Sequence, residues 1–200
     1  MPFSELLGII SGVFLIAGYI PYIIAVLKKT TTPNRASWFI WALSTAIILF
    51  GVHETGTNEA IWVPVADAVG CFVIFLLAIP AGVGGWSKTD RISLLICAAS
   101  LVVLFVTGNA LVALVMNLCI YVSGYIPTIK KVMVNAESES RVAWSLFFIG
   151  VILNLVTVMI GTDTGFAVWL YPIVLVLTVG TLYVFLMKPF FLPRTKIKFL

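Results

Sequence analysis

The sequence predicts an all-α membrane protein of seven transmembrane helices, built as two parallel three-helix bundles that are joined by a linker helix. Three observations predict this fold: an apolar composition, seven long apolar runs and an internal repeat. The chain has 200 residues, of which 62% are hydrophobic and 10% charged, whereas a soluble domain carries about 25% charged residues. Because so little polar surface is present to cover a core in water, we expect lipid to surround much of the chain.

The seven apolar runs have the length of membrane spans. A helix needs roughly 20 mainly apolar residues to cross the hydrocarbon core, whereas barrel strands would be runs of about 10 residues with strict alternation. The second and fourth runs are short, and we expect the second to extend into its flanking residues. The predicted spans are 5–27, 37–53, 60–84, 91–107, 110–132, 142–161 and 166–187.

The basic residues support this count, because all 12 of them fall in the segments around the ends of the first, third, fifth and seventh runs. They are Lys28, Lys29, Arg35, Lys88, Arg91, Lys130, Lys131, Arg141, Lys188, Arg194, Lys196 and Lys198. Seven spans put all of them on one side of the membrane. The other side holds Glu5, His53, Glu54, Glu59 and Asp163.

Basic loops face the cytoplasm in membrane proteins. The sequence therefore predicts an integral protein of the plasma (inner) membrane, with its N-terminus outside and its C-terminus in the cytoplasm. The net charge of +4 is explained by this orientation, and no nucleic-acid partner is predicted. The lipid bilayer and a small-molecule solute are the partners that we expect.

An internal repeat relates segment 18–41 to segment 124–147 without a gap, at an offset of 106 residues from Gly18 to Gly124. A further match, one residue out of register, pairs Ala60 and Trp62 with Ala167 and Trp169. The identical residues in the first segment are Gly18, Tyr19, Ile20, Pro21, Ile23, Val26, Arg35 and Trp38, and their counterparts are Gly124, Tyr125, Ile126, Pro127, Ile129, Val132, Arg141 and Trp144.

The repeat predicts the domain organisation. Helix 5 follows helix 1 by four spans, so both halves run in the same direction, and a single linker helix restores the direction between them. Transporters are commonly built from such repeats, with the solute site at the repeat interface. The predicted units are a three-helix repeat at 1–87, a linker helix at 88–109, a second three-helix repeat at 110–190 and a basic cytoplasmic tail at 191–200.

This plan resembles the SWEET and PQ-loop transporter superfamily, on three features. They are the 3+1+3 arrangement, the Gly-Tyr-Ile-Pro sequence near the end of helices 1 and 5, and the basic loop that leads to a tryptophan. The resemblance implies a transporter that works by alternating access, and it makes a homo-oligomer plausible. The family's Pro-Gln pair is Pro21-Tyr22 and Pro127-Thr128 here.

Several solutes fit the resemblance. Sugar carriers of the family place an asparagine in the third helix of each repeat, and this sequence has none there. Vitamin carriers of the PnuC type and amino-acid exporters of the cystinosin type are similar in plan. A sugar or similar small polar solute, an amino acid and a pyridine-type vitamin are therefore alternatives, and so is a proton-coupled mechanism.

The matched prolines predict hinges. Pro21 and Pro127 have no N–H, so each leaves a helical carbonyl without its partner, and each follows a glycine, Gly18 or Gly124, by three residues. Such a combination kinks a helix. Paired hinges would let two bundles rock about a central site, although static kinks that aid packing would give the same pattern.

Asp67 is the main candidate for solute binding, because no other carboxylate lies well inside a predicted span. An ionised carboxylate in lipid costs at least about 2.5–3.5 kcal/mol, so it faces a cavity, finds a partner or stays protonated. It could bind a cationic group of the solute or take up a proton that drives transport. A hydrogen bond to a neighbouring helix is the structural alternative.

Three further polar residues, Asn117, Asn154 and Ser11, are candidates for hydrogen bonding to the solute. Asn117 and Ser11 correspond at the repeat offset and are expected at similar depth. Interhelical hydrogen bonding is the structural alternative, since polar side chains often join membrane helices.

Aromatic and basic residues near the helix ends complete the candidate set. Trp62, Trp169 and Tyr171 lie near the outer ends of their helices, and Trp38, Trp41 and Trp144 near the inner ends. Interfacial belts explain such positions, and Trp62 and Trp169 could also stack on solute at the cavity mouth. Arg35 and Arg141, with Trp38 and Trp144, are expected to serve as an inner gate or as orientation anchors.

Catalysis is not predicted. The chain has one histidine and three cysteines, without CxxC spacing or a nucleophile constellation. The cysteines are expected to be small buried side chains, and no metal or cofactor is predicted. A carrier and a membrane receptor that binds without moving its ligand remain the two functional classes.

Overall fold

The computed structural model describes residues 2–54, 60–84, 88–162 and 165–191. Within these ranges the chain folds into seven α-helices and a short 3-10 helix at Ala136–Ser138. The predicted all-α class is confirmed, and the second and fourth runs extend to 20 residues each. The α-helices are α1 (Phe3–Leu27), α2 (Arg35–Glu54), α3 (Trp62–Ala81), α4 (Lys88–Thr107), α5 (Ala110–Val134), α6 (Arg141–Ile160) and α7 (Phe166–Phe191).

Five of these helices, α1, α2, α3, α6 and α7, are long and apolar enough to cross a membrane, with mean hydropathies of 1.6 to 2.2. Helices α4 and α5 form where the sequence predicts them, and their passage through a bilayer stays a prediction. The chain therefore has the helices of an integral membrane protein.

The exposed face of α1 is apolar, unlike that of a helix in a soluble protein. Its exposed face carries large aliphatic side chains such as Val13, Ile16 and Ile20, while its buried face includes Gly8 and Ser11. Water would favour the opposite distribution. Small residues on the buried side let neighbouring helices approach closely, as they do in membrane bundles.

Among the described residues the helices enclose one main buried core and two small clusters. Helix α3 packs against both α1 and α2, and α7 packs against both α5 and α6. Helix α1 also lies along α6, and α2 lies along α5, while α4 contacts α5 and α2. The core is therefore shared by the six helices other than α4.

Local hydrogen bonds start the helices at defined residues. The side chain of Asn34 accepts the N–H of Ser37 (3.1 Å) before α2, and the Ser140 hydroxyl accepts the N–H of Ala143 (3.4 Å) before α6. Such caps satisfy amides that have no partner within the helix.

Three basic loops meet at one end of the bundle, which we call the basic end. Lys131 donates to the carbonyl of Thr32 (2.6 Å), and the N–H of Arg35 donates to the carbonyl of Val83 (3.0 Å). The loops after α1, α3 and α5 therefore lie together. Residues 192–200 of the predicted tail, with Arg194, Lys196 and Lys198, lie outside the described residues, as do Glu59 and Asp163 of the opposite side.

Candidate functional site

A small cavity lies where six helices meet. Its volume is about 20 Å³, which leaves room for about one water molecule. A larger solute could enter only if helices moved apart. The cavity is lined by Leu15, Tyr19, Trp38, Trp41, Asp67, Cys71, Tyr121, Tyr125, Trp144, Phe147, Val151, Leu175 and Val179.

Asp67 is the charged group of this cavity and is 5% exposed. Its Oδ1 accepts the hydroxyl of Tyr19 (2.7 Å), and its Oδ2 accepts the hydroxyls of Tyr171 (2.8 Å) and Tyr121 (3.2 Å). The three tyrosines belong to α1, α7 and α5, so the carboxyl group on α3 joins four helices. A carboxylate is an acceptor with room for such a set of donors.

The hydrogen-bond chain continues beyond the carboxylate. The hydroxyls of Tyr121 and Tyr125 lie 3.2 Å apart, and the Tyr19 hydroxyl lies 3.3 Å from Cys71 Sγ. Because Tyr121 directs its proton to Asp67, the Tyr125 hydroxyl is the donor in the tyrosine pair.

Seven aromatic rings line the cavity together with the carboxylate, three from the first half of the chain and four from the second. Tyr19 packs on Phe147 and Tyr125 packs on Trp41, with ring centroids 4.7 Å apart in both pairs and interplanar angles of 57° and 53°. Tilted contacts at this distance are favourable for aromatic side chains.

Two more pairs of ring contacts correspond between the two halves of the chain. Tyr19 lies 6.4 Å from Trp38, and Tyr125 lies 6.3 Å from Trp144. Trp38 lies 5.0 Å from Trp41, and Trp144 lies 5.4 Å from Phe147. We call these six side chains the aromatic cluster: Tyr19, Trp38, Trp41, Tyr125, Trp144 and Phe147.

A second polar side chain, Glu139, lies at the basic end, in contact with the aromatic cluster. Glu139 is 4% exposed and accepts Lys131 Nζ (2.5 Å), the Tyr22 hydroxyl (3.3 Å) and Trp144 Nε1 (3.0 Å). Trp38 Nε1 donates to the Tyr22 hydroxyl (3.2 Å). This Glu139 network, made of Tyr22, Trp38, Lys131, Glu139 and Trp144, ties α1 and α2 to the loop after α5 and to α6.

The tryptophans near the basic end differ from their predicted setting. Trp38, Trp41 and Trp144 are only 2–3% exposed, so they do not form an interfacial belt. They line the cavity instead, because the helices pair closely enough to cover them.

Arg35 and Arg141 lie at the starts of α2 and α6. Arg35 Nε donates to the carbonyls of Ala78 and Ile79 (3.1 Å each). Its charge therefore sits at the C-terminal end of α3, where a cation is favourable to the helix dipole. This contact suits the anchoring role that the sequence predicts for Arg35.

The three neutral polar candidates are fully buried but do not line the cavity. Ser11 donates to the Gly8 carbonyl (2.6 Å). Asn154 lies one turn beyond Gly150, where an added Cβ would lie 3.1 Å from the Ser11 carbonyl oxygen. Neither amide atom of Asn154 has a hydrogen-bond partner among the described residues. Asn117 lies one turn before Tyr121 on α5.

Trp62 and Trp169 lie outside the cavity lining. Trp62 is 41% exposed, and its backbone is close to Gly12 of α1. Trp169 is half-buried and packs against Ala60 and Val168. The structure does not bring these tryptophans together with Asp67.

The predicted hinge residues lie inside continuous helices. Helix α1 passes through Pro21 and α5 passes through Pro127. Gly18 lies under the ring of Phe147, and Gly124 lies under the ring of Trp41. The prolines are therefore one turn from the contacts that join the two halves.

The sequence reasoning missed the tyrosines as site residues. Tyr19 and Tyr125 stand in the repeated Gly-Tyr-Ile-Pro sequence, and Tyr121 lies one turn before Tyr125 on the same helix face. That spacing was a usable signal. The sequence predicts Tyr171 for an interfacial belt, yet it is buried and donates to Asp67.

We expect Gly70→Ala to destabilise the protein by about 1–3 kcal/mol, the usual range for overpacking. A Cβ at Gly70 would lie 2.0 Å from Cε2 of Tyr19, so the ring must move off Asp67. Gly51→Ala is the control, because nothing lies within 4 Å of its Cβ and alanine favours the helix by about 1 kcal/mol. Thermal unfolding in detergent measures both, and equal midpoints would contradict the expectation.

We expect Asn154→Leu to stabilise the protein by about 1–2 kcal/mol, because a buried amide without partners carries a desolvation penalty. Thr157→Val is the control, since the Thr157 hydroxyl already donates to the Leu153 carbonyl (2.9 Å). Thermal unfolding of the purified variants is the measurement. A lower midpoint for Asn154→Leu would mean that the amide has a partner in the working protein.

Metal binding finds no support in the described part of the chain, where no group of three or more His, Cys, Asp or Glu side chains could hold an ion. Comparisons of the chain with protein-family models, with curated proteins and with solved structures found no match. The function is therefore argued from the geometry of the cavity.

Proposed function

We propose that this protein is a membrane carrier that moves a small solute by alternating access between two three-helix repeats. The aromatic cluster is the observation that carries the proposal. Three ring contacts of this cluster recur at the repeat offset, so that Tyr19–Phe147, for example, corresponds to Tyr125–Trp41. In this proposal the cavity lies on the approximate twofold axis that relates the two repeats, where carriers of this type place the solute site.

The helix packing supports the same division. Within 1–87, α3 contacts α1 and α2, and within 110–190, α7 contacts α5 and α6. The contacts between the halves also correspond, since α1 meets α6 and α2 meets α5. In this proposal α4 is the linker that lets both repeats run in one direction. The resemblance to the SWEET and PQ-loop superfamily belongs to the proposal as well.

The basic end is the cytoplasmic end in this proposal, because basic loops face the cytoplasm. The Glu139 network then forms the inner gate, and Arg35 anchors the start of α2 beside it. Rocking at Gly18–Pro21 and Gly124–Pro127 would separate the two halves at this end and open the cavity inward. The opposite movement would open it outward.

Cys71 provides a test that needs no knowledge of the solute, because its thiol lines the cavity. Cys97→Ser with Cys119→Ser leaves Cys71 as the only thiol of the three. Cys119 is exposed on its helix, contrary to the buried position predicted for it. The membrane-impermeant cation MTSET is then added to right-side-out and inside-out vesicles.

A carrier exposes Cys71 to each side in turn, so we expect MTSET to modify it in both vesicle preparations. A further change, Cys71→Ser, is the control for background labelling. Modification from one side only would favour the receptor alternative, in which ligand binds without crossing. Uptake of sugars, amino acids and vitamins into proteoliposomes, with and without a proton gradient, separates the remaining alternatives.

A further inference from the structure

The cavity wall carries one acidic side chain and no basic one. Asp67 is acidic, and none of the other lining residues is basic. Lys131 lies in the last turn of α5 and donates to Glu139 and to the Thr32 carbonyl. A solute that reached Asp67 would therefore meet a carboxyl group that has phenols, and no cation, as partners.

The hydrogen-bond donors of the wall are already used within the protein. The hydroxyls of Tyr19, Tyr121 and Tyr171 donate to Asp67, and the hydroxyl of Tyr125 donates to Tyr121. The indole N–H groups are used as well: Trp38 donates to Tyr22, Trp41 to the Tyr121 carbonyl, and Trp144 to Glu139. What remains for a solute is lone pairs on phenol and carboxyl oxygens.

The aromatic cluster adds a third property, since its rings line the same cavity as the carboxyl group. The negative face of an aromatic ring attracts a cation, most strongly when both are shielded from water. Charge, hydrogen bonding and ring faces thus favour the same kind of ligand, a cation that donates hydrogen bonds.

We infer that the solute of this cavity is an organic amine in its protonated form, with its ammonium group on Asp67 and the tyrosine oxygens and its apolar part between the rings. The transport of this solute rests on the proposed carrier function, whereas its binding does not. A neutral sugar fits less well, because its hydroxyl oxygens would find no donor on the wall. Buried polar groups left without partners discriminate strongly between ligands.

The test compares amines with alcohols of the same skeleton. Propylamine and 1-propanol, cyclohexylamine and cyclohexanol, and phenethylamine and 2-phenylethanol form three pairs that differ in the ammonium group. Binding at pH 7 is followed by the fluorescence of the cavity tryptophans and by thermal shift, with glucose as a further ligand. We expect the amine of at least one pair to bind at least tenfold more tightly than its alcohol.

The matched variants are Asp67→Asn, which removes the charge at nearly constant shape, and Thr157→Val, which alters a buried hydroxyl away from the cavity. We expect Asp67→Asn to weaken amine binding at least tenfold and Thr157→Val to leave it unchanged. The ligand pairs also test the inference on the unaltered protein, should Asp67→Asn fold poorly.

Three results would overturn the inference: equal binding of amines and alcohols, binding of no amine at all, or amine binding that Asp67→Asn does not weaken. Flux into proteoliposomes separates the two proposals. Amine binding without flux would remove the carrier function and leave the ligand class intact. Glucose flux without amine binding would remove the ligand class and leave the carrier function intact.

Discussion

Glu139→Gln is expected to raise the rate at which MTSET modifies Cys71 from the basic end about 100-fold. The substitution removes the partner charge of Lys131 and leaves a largely buried ammonium group, since the two side chains are 17% and 1% exposed. Breaking a buried pair costs about 3–5 kcal/mol, and the partial exposure of Lys131 favours the lower figure. In the proposed carrier this contact exists only while the inner gate is closed, so about 3 kcal/mol would shift the open population about 100-fold.

The control for this gate variant is Glu137→Gln, which removes an exposed carboxylate two residues away in the same loop. Exposed charges contribute little, so the rate of Cys71 modification should not change. The measurement is the initial rate of labelling in inside-out vesicles of the background without Cys97 and Cys119. Equal rates for Glu139→Gln and the parent protein would show that the network does not hold the gate.

Asp67→Leu is expected to lower the free energy of unfolding by at least about 3 kcal/mol. The change leaves the hydroxyls of Tyr19, Tyr121 and Tyr171 buried without their acceptor, and each such group costs about 1–3 kcal/mol. Relief from burying a carboxyl group offsets part of this loss. Thermal unfolding in a fixed detergent measures the change.

A combined variant isolates the hydrogen bonds from the packing. Adding Tyr19→Phe and Tyr171→Phe to Asp67→Leu removes two of the stranded hydroxyls together with the acceptor. Replacing both partners of a hydrogen bond by apolar groups can be nearly neutral, so the triple variant should unfold at a higher temperature than Asp67→Leu. A triple variant that is less stable than Asp67→Leu would mean that the tyrosines stabilise the core by other contacts.

The helices could be predicted from the sequence because one physical requirement, an apolar run long enough for a bilayer, sets their limits. The exact ends of the helices could not be predicted in this way, as the start of α2 shows. The run begins at residue 37, yet Asn34 caps the helix and α2 begins at Arg35, because polar residues can occupy the first turn. Residues at such ends carry no apolar signal.

The candidate site was harder to predict, because it depends on which helix faces meet. Asp67 could be found from its charge within an apolar run. Glu139 could not, since it stands beside Glu137 in a polar loop and only the packing distinguishes the buried residue from the exposed one. Tyr171 and Trp144 had the positions of interfacial aromatics, and their burial follows from the close pairing of helices.

Three ring contacts of the aromatic cluster recur in both halves, whereas the charged groups do not. The positions that correspond to Glu139, Lys131 and Asp67 are Pro33, Ala25 and Val174. The Lys131–Glu139 ion pair at the basic end therefore has no counterpart at the same place in the other half. In a carrier of the proposed kind, such an ion pair does not set the direction of net transport, which the solute gradient determines. Release of the ion pair would instead be the slowest step of each cycle, so the turnover number would depend on the strength of the pair.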